Sequence, residues 1–293
     1  MLTPQVAEWI GKEETRWDVV THSPQARLAA LLNHTDPPWQ AETLPPLGHW
    51  LYGLPSAPQA ELGEDGHPRL GQFLPPIPLP RRMWAAGEVE FHAPIRVGES
   101  MRKRSLIKAI DHKVGRSGEL VFVKLLHEFH SSAGLAIREI QELVYLEKPA
   151  PNAPKPPTDP SSGEPLPRAD WERTVSPDAT LLFRFSAVTF NSHRIHYDRE
   201  YAVHAEGYPG LVVHGPLIAM LLMDLFLRNH PGREITRFRF KAQRPLFDLQ
   251  PFTICGAERA GGAELWALDA LGRVAMRADL THTWQHRSIS TGS

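Results

Sequence analysis

The sequence predicts an α+β fold made by using one construction twice. Three observations point there. A helical opening followed by antiparallel strands runs through residues 1–145, and the same order returns after residue 168. Residues 149–167 hold eight prolines and no periodic pattern, the composition of an extended linker. Residues 211–227 form an apolar run that suits a helix buried on all sides. The expected units are residues 1–148, a linker at 149–168, and residues 169–293.

In chain order, residues 1–50 read as helical. Val6, Ile10 and Trp17 mark a first helix over 4–17. Ser23-Pro24 is a cap and first-turn pair opening a second over 25–33, with Leu28, Leu31 and Leu32 on one side. Residues 37–80 are rich in Pro and Gly and end in Phe73-Leu74-Pro75-Pro76-Ile77-Pro78-Leu79-Pro80. Such a run is irregular and lies over a surface or lines a groove. Strands are then expected near 88–91, 103–112, 120–131 and 135–146, with turns at 115–118 and 132–134. In the second half a short strand is expected at 182–186, a polar turn at 189–198 and a short helix near 199–206. The central helix follows. Pro216 suits its first turn, where a missing N–H costs nothing, and Asn229, His230, Pro231 and Gly232 stop it. Further strands are expected near 236–241, 252–258, 264–269 and 274–284.

Composition excludes several classes. A net charge of −1 gives no general attraction to nucleic acid or membrane. Cys255 is the single cysteine, so no disulfide framework exists and a reducing, cytoplasmic compartment is expected. Residues 1–14 lack the basic start and apolar core of a signal peptide. The central helix is too short to span a bilayer and contains Asp224, which reads as a buried, hydrogen-bonded residue. No Gly-rich phosphate loop, serine elbow or cysteine nucleophile is present, and no cofactor is expected. His193 and His196 have a spacing that could suit a metal, but no third ligand is evident and no metal is expected.

The chemistry concentrates in residues 183–229. Phe190-Asn191-Ser192-His193-Arg194-Ile195-His196-Tyr197-Asp198, followed by Gly210-Leu211-Val212-Val213-His214-Gly215-Pro216-Leu217, resembles the hydratase segment of MaoC-like hotdog proteins. More narrowly, it is similar to the group that hydrates mesaconyl-C(4)-CoA and itaconyl-CoA, together with mitochondrial 3-hydroxyacyl-thioester dehydratases. His196 matches the family's motif His, and Val213-His214-Gly215 matches its V-H-G. The family's Asp is Asn191 here, its Asn-Pro pair is His193-Arg194, and a Ser of the central helix falls near Met223.

The resemblance implies a double hotdog, two antiparallel sheets each wrapped round a central helix. It also implies reversible addition of water to an enoyl-CoA thioester, without metal or redox cofactor. His196 is then the proton carrier, because an unperturbed imidazole titrates near neutrality. Asn191 cannot take a proton but can hold the water. The Gly215 N–H, at the helix start, is the expected oxyanion donor. Arg194 either grips the free carboxylate of a diacid substrate or pairs with Asp198 or Glu200. His193 and His214 either touch substrate or orient the loop. Arg237, Arg239, Lys241 and Arg244 either hold CoA phosphates or form a solvated strand face, and the run 101–104 has the same two readings. Partners are then a small acyl-CoA substrate and, by pairing of the pseudo-dimer, a second copy of the chain. Dehydration of fatty 3-hydroxyacyl thioesters and non-catalytic acyl-CoA binding remain as alternatives, with thioester hydrolysis a weaker one.

Overall fold

The computed structural model describes residues 4–115, 118–147 and 166–284. Most of the expected proline-rich linker lies outside these residues. The ten strands of the described residues form one antiparallel sheet. Its first-half strands are β1 (Glu13–Val19), β2 (Arg81–Phe91), β3 (Ser100–Gly115), β4 (Gly118–Ser131) and β5 (Gly134–Leu146). Its second-half strands are β6 (Trp171–Val175), β7 (Arg233–Ala242), β8 (Phe252–Arg259), β9 (Gly262–Leu268) and β10 (Val274–Trp284). The order is β1-β3-β4-β5-β2-β7-β10-β9-β8-β6, so each half mirrors the other about the β2–β7 seam. Gly87 pairs with Phe240 and Val89 with Phe238 across that seam. Two hotdog halves thus share a sheet.

Helices pack against the sheet, the longest of them on the second-half strands. After the short helix α1 (Pro4–Ala7) come α2 (His22–Leu31), α3 (Ala179–Val188) and α4 (Gly215–Asn229). Every residue of α4 from Leu217 to Leu227 is buried. In the corresponding stretch of the first half stands a single buried 3-10 turn, Gly48–Leu51. There His49 and the Trp50 indole reach Glu139 of β5 at 3.2 and 3.0 Å. The main core joins residues of both halves. A second cluster lies under the Pro-rich run, where Ile77 and Leu79 cover Ile107, Val123 and Tyr145. Among the described residues no helix is long and apolar enough to cross a membrane.

Two expected elements differ. Residues 182–186 are helical within α3. Phe183 and Phe185 suggest alternation, but Phe183 is exposed, and the buried set Leu182, Phe185 and Ser186 has helical spacing. Asp178 caps this helix by accepting the Leu181 N–H at 2.7 Å. The expected helix over 4–17 ends after one turn. Gly11 has φ +91°, and residues 13–19 then join the sheet edge as β1, leaving Trp17 exposed.

Candidate active site

The site begins where α3 stops. Phe190 takes a left-handed φ of +48° and reverses the chain. The Asn191 N–H donates to the Ser186 carbonyl at 2.8 Å, and the Asn191 side-chain oxygen accepts the His193 N–H at 3.0 Å. This side-chain turn carries the backbone into the 3-10 turn Arg194–His196. The Val212 N–H donates to the Ile195 carbonyl at 3.0 Å and ties the turn to the strand-like entry of α4.

His196 is buried, and its Nδ1 lies 2.7 Å from the Val212 carbonyl. A carbonyl only accepts, so Nδ1 carries the hydrogen and Nε2 keeps a lone pair. The His214 ring stacks on His196 at 3.6 Å between centroids, and its Nε2 lies 2.8 Å from the Ser186 hydroxyl. Gly215 opens α4 with one of the N–H groups that no helical carbonyl can reach, and Pro216 offers none. The carbonyl of Trp84, on β2, forms the opposite wall at 3.8 Å from where a Gly215 side chain would begin.

The first half adds to this row of rings. Its 63–67 loop brings His67 within 4.1 Å of His193, which stands perpendicular to His196 at 5.4 Å. Asp65 orients His67: its carboxylate accepts from the ring Nδ1 at 3.1 Å and from the backbone N–H at 3.0 Å. The loop is sewn to the hydratase turn by the Arg194 N–H donating to the Asp65 carbonyl at 2.9 Å. Burial lowers the pKa of all four imidazoles, His67 and His196 to about 4 and His214 well below its usual value. His193 falls for the same reason, with its neighbouring rings and Arg82 adding to the effect. Each ring is neutral at pH 7, so His196 is available there as a base. Asp65 titrates below its usual range: burial works against this, but the His67 donors and Arg82 outweigh it.

The hydroxyacyl-thioester dehydratase type 2 profile matches residues 47–248. The chain is 48% identical over 274 residues to mesaconyl-C(4)-CoA hydratase of Chloroflexus aurantiacus, covering 92% of this chain and 95% of that one. The chain belongs to the hydroxyacyl-thioester dehydratase type 2 family. Mitochondrial hydroxyacyl-thioester dehydratase type 2 of Schizosaccharomyces pombe is 29% identical over 242 residues, 74% of this chain and 78% of that one. Among solved structures, a MaoC-like dehydratase from Phytophthora capsici superposes with TM-score 0.67 at 14% identity, over 96% of this chain and 98% of the other. A Mycobacterium tuberculosis protein described as a double hotdog gives TM-score 0.55 at 12% identity, over 93% and 96%.

Within this family member, His193, His196, His214 and Gly215 converge, and Asn191 holds their loop. Arg194 belongs to the same loop but is engaged elsewhere. Its guanidinium donates to Asp198 at 2.9 and 2.7 Å and to the Glu64 carbonyl at 3.0 Å, and it lies over Tyr201. Arg237 and Arg239 alternate with buried Phe238 and Phe240, so they stand on the sheet face away from α4, paired with Glu88 and Asp279. Arg244 donates to the Val274 carbonyl at 3.4 Å. Asp224 is buried and accepts from Arg173 at 2.8 Å and Arg228 at 2.9 Å, with His34 Nε2 beside it. Sequence reasoning missed Ser186, Asp65 and His67. The last two sit in an aperiodic stretch, where Asp65-Gly66-His67-Pro68 signals a turn and nothing more. Asp65, His67 and His193 offer ligand atoms within 4.8 Å of one another. Asp65 already serves His67, whose ring Nδ1 lies 3.1 Å from its carboxylate.

Proposed function

We propose that this protein adds water reversibly across the double bond of a short dicarboxylic enoyl-CoA of the mesaconyl-C(4)-CoA type. The observation that carries the reading is His196. Its Nδ1–H is fixed by the Val212 carbonyl, its Nε2 is a neutral base, and its ring stacks on His214, the residue that precedes Gly215 at the start of a buried helix. The 48% identity to a mesaconyl-C(4)-CoA hydratase supports the substrate class.

The steps balance with one histidine. Nε2 of His196 takes a proton from water as the oxygen bonds to the β carbon. The electron pair of the double bond moves to the thioester oxygen, where the Gly215 N–H stabilises the enolate. Nε2–H then returns its proton to the α carbon. The Asn191 amide orients the water. Ser186 and the stacked His214 hold the His196 ring in place. The reverse sequence dehydrates a 3-hydroxyacyl thioester, the direction named for the fungal relatives. We assign the protein to the cytoplasm and expect two chains to associate.

The test is loss of enoyl-thioester absorbance with mesaconyl-C(4)-CoA, crotonyl-CoA and a long-chain enoyl-CoA. Turnover by the wild type, reduced about 10²–10⁴-fold in His196→Ala, is expected for the four-carbon diacid. Preference for the long chain would move the protein to fatty-acyl dehydration. Thioester binding without any turnover would make it a binding protein.

A further inference from the structure

We infer that a polar pocket beside the histidine row receives the free carboxylate of the substrate, and that Arg82 with the Tyr145 hydroxyl is its recognition pair. This inference rests on the hydratase reading above and names the determinant of its substrate class.

The pocket has a volume of about 240 Å³ and lies between the 63–70 segment and the start of β2 and the end of β5. Asp65, Arg69, Leu79, Arg82 and Tyr145 line it. Arg82 and Tyr145 face each other directly across the β2–β5 ladder, so their side chains leave the sheet on the same side. Arg82 is also two residues from Trp84, whose carbonyl walls the helix start. Asp65, which lines the pocket, also orients His67 beside His193, so the pocket adjoins the histidine row.

Asp65 and Arg69 are partnered, whereas Tyr145 and Arg82 are not well satisfied. Tyr145 is 1% exposed, and its hydroxyl is buried without a well-formed hydrogen bond. Buried hydroxyls normally find a partner, and the hydroxyl of this pocket-lining tyrosine lies beside the Arg82 guanidinium. Among the described residues no ion pair or well-formed hydrogen bond engages the Arg82 guanidinium. Its charge is nonetheless felt at His67, His193, Asp65 and Tyr145, which places it among them. The other candidate, Arg194, is held by Asp198 and the Glu64 carbonyl.

The chemistry fits a carboxylate. Four neutral imidazoles give an anionic substrate group no countercharge. A guanidinium can bind it through two parallel N–H donors, with the phenol as a third. Asp65 does not fill this role from inside, because both its oxygens already accept from His67. The exposed Arg69, whose Nε donates to the Leu62 carbonyl at 3.3 Å, adds positive potential at the mouth.

The test compares succinyl-CoA with butyryl-CoA by calorimetry. The two have equal acyl length and differ in a terminal carboxylate against a methyl, and neither has a double bond to hydrate. Arg82→Met should weaken succinyl-CoA binding about 100-fold and Tyr145→Phe about tenfold, with butyryl-CoA within about twofold for both. Arg82→Lys, which keeps the charge without the fork, should fall between, and with Tyr145→Phe it carries the test if Arg82→Met does not fold. Unchanged succinyl-CoA binding in these variants, or equal weakening of both thioesters, would overturn the assignment. Turnover of mesaconyl-C(4)-CoA by the wild type is measured separately. Its absence would remove the hydratase reading, while the binding comparison would still decide the carboxylate pocket.

Discussion

An amide at position 191 can hold water but cannot carry its proton, and this sets what the other residues must do. Asn191 already uses its side-chain oxygen to accept the His193 N–H at 3.0 Å. A carboxylate would accept the same bond, so Asn191→Asp should preserve the turn. With His196 making both proton transfers, that variant should keep kcat within about tenfold, whereas His196→Ala loses about 10²–10⁴-fold. Steady-state kcat for the two variants decides this. Equal loss in both would mean that the amide, and not the imidazole alone, is needed for proton transfer. The motif made His196, His193, His214 and Gly215 legible in the sequence, because they lie within 23 residues of one another and bracket a helix start. Ser186 was legible only as an apolar-face residue of a helix, and the strand reading of 182–186 hid that face. Arg237 and Arg239 show the opposite limit. A strand pattern says which residues share a face, and not which face meets the helix.

At the scale of elements, the 63–67 loop depends on Gly66. Its φ is +86°, and a side-chain carbon there would lie 1.9 Å from the Ser192 carbonyl oxygen. The Ser192 hydroxyl also donates to the Gly66 carbonyl at 2.5 Å. Gly66→Ala must therefore push the loop away from the hydratase turn and carry Asp65 and His67 with it. We expect a stability loss of about 1–3 kcal/mol and a fall in kcat/KM of at least about tenfold. Gly98→Ala is the control. That glycine has φ +89° with open space around it, so it should show the backbone cost without the kinetic one. Thermal melts and kcat/KM of both variants separate the two effects, and equal kinetic loss would remove the loop from the site. Such a contact joins positions over a hundred residues apart and has no periodic trace. Periodicity did reveal the meanders, since β3, β4, β5 and β10 alternate or run between glycine turns, and it revealed α4 through its apolar run. It could not reveal that the first half replaces its long helix with the turn Gly48–Leu51. That turn is stabilised by Glu139 from another strand rather than by its own pattern.

For the whole molecule, burying imidazoles on both sides of the seam makes folding sensitive to acid. His67, His127 and His196 each titrate near 4, chiefly because burial penalises the charged ring, against about 6.5 in an unfolded chain. Between these values the unfolded chain binds more protons than the folded one, so stability rises with pH across the window and falls as pH drops through it. Above about pH 7 these groups contribute no slope. Below pH 4 each has cost roughly 3 kcal/mol, since one pKa unit is about 1.4 kcal/mol. Three such rings amount to much of a typical domain's stability, and His193 and His214 act in the same direction. The carboxylates of Asp65 and Glu139 are depressed instead, Glu139 against the effect of its burial and through His49. Their contribution is present above their unfolded values and is lost only at more acid pH, so the histidines act first. Urea midpoints should be flat from pH 8 to 7, fall steadily below about 6.5, and reach acid unfolding between about pH 4 and 5.5. A midpoint unchanged down to pH 4.5 would show that the rings take up protons within the fold. The row could not then be the dry, neutral cluster on which His196 depends as a base. For the same reason, kcat/KM measured after brief pH jumps should keep its acid limb near 4 rather than 6.5, because the base that starts the reaction is one of the groups that make the fold acid-labile.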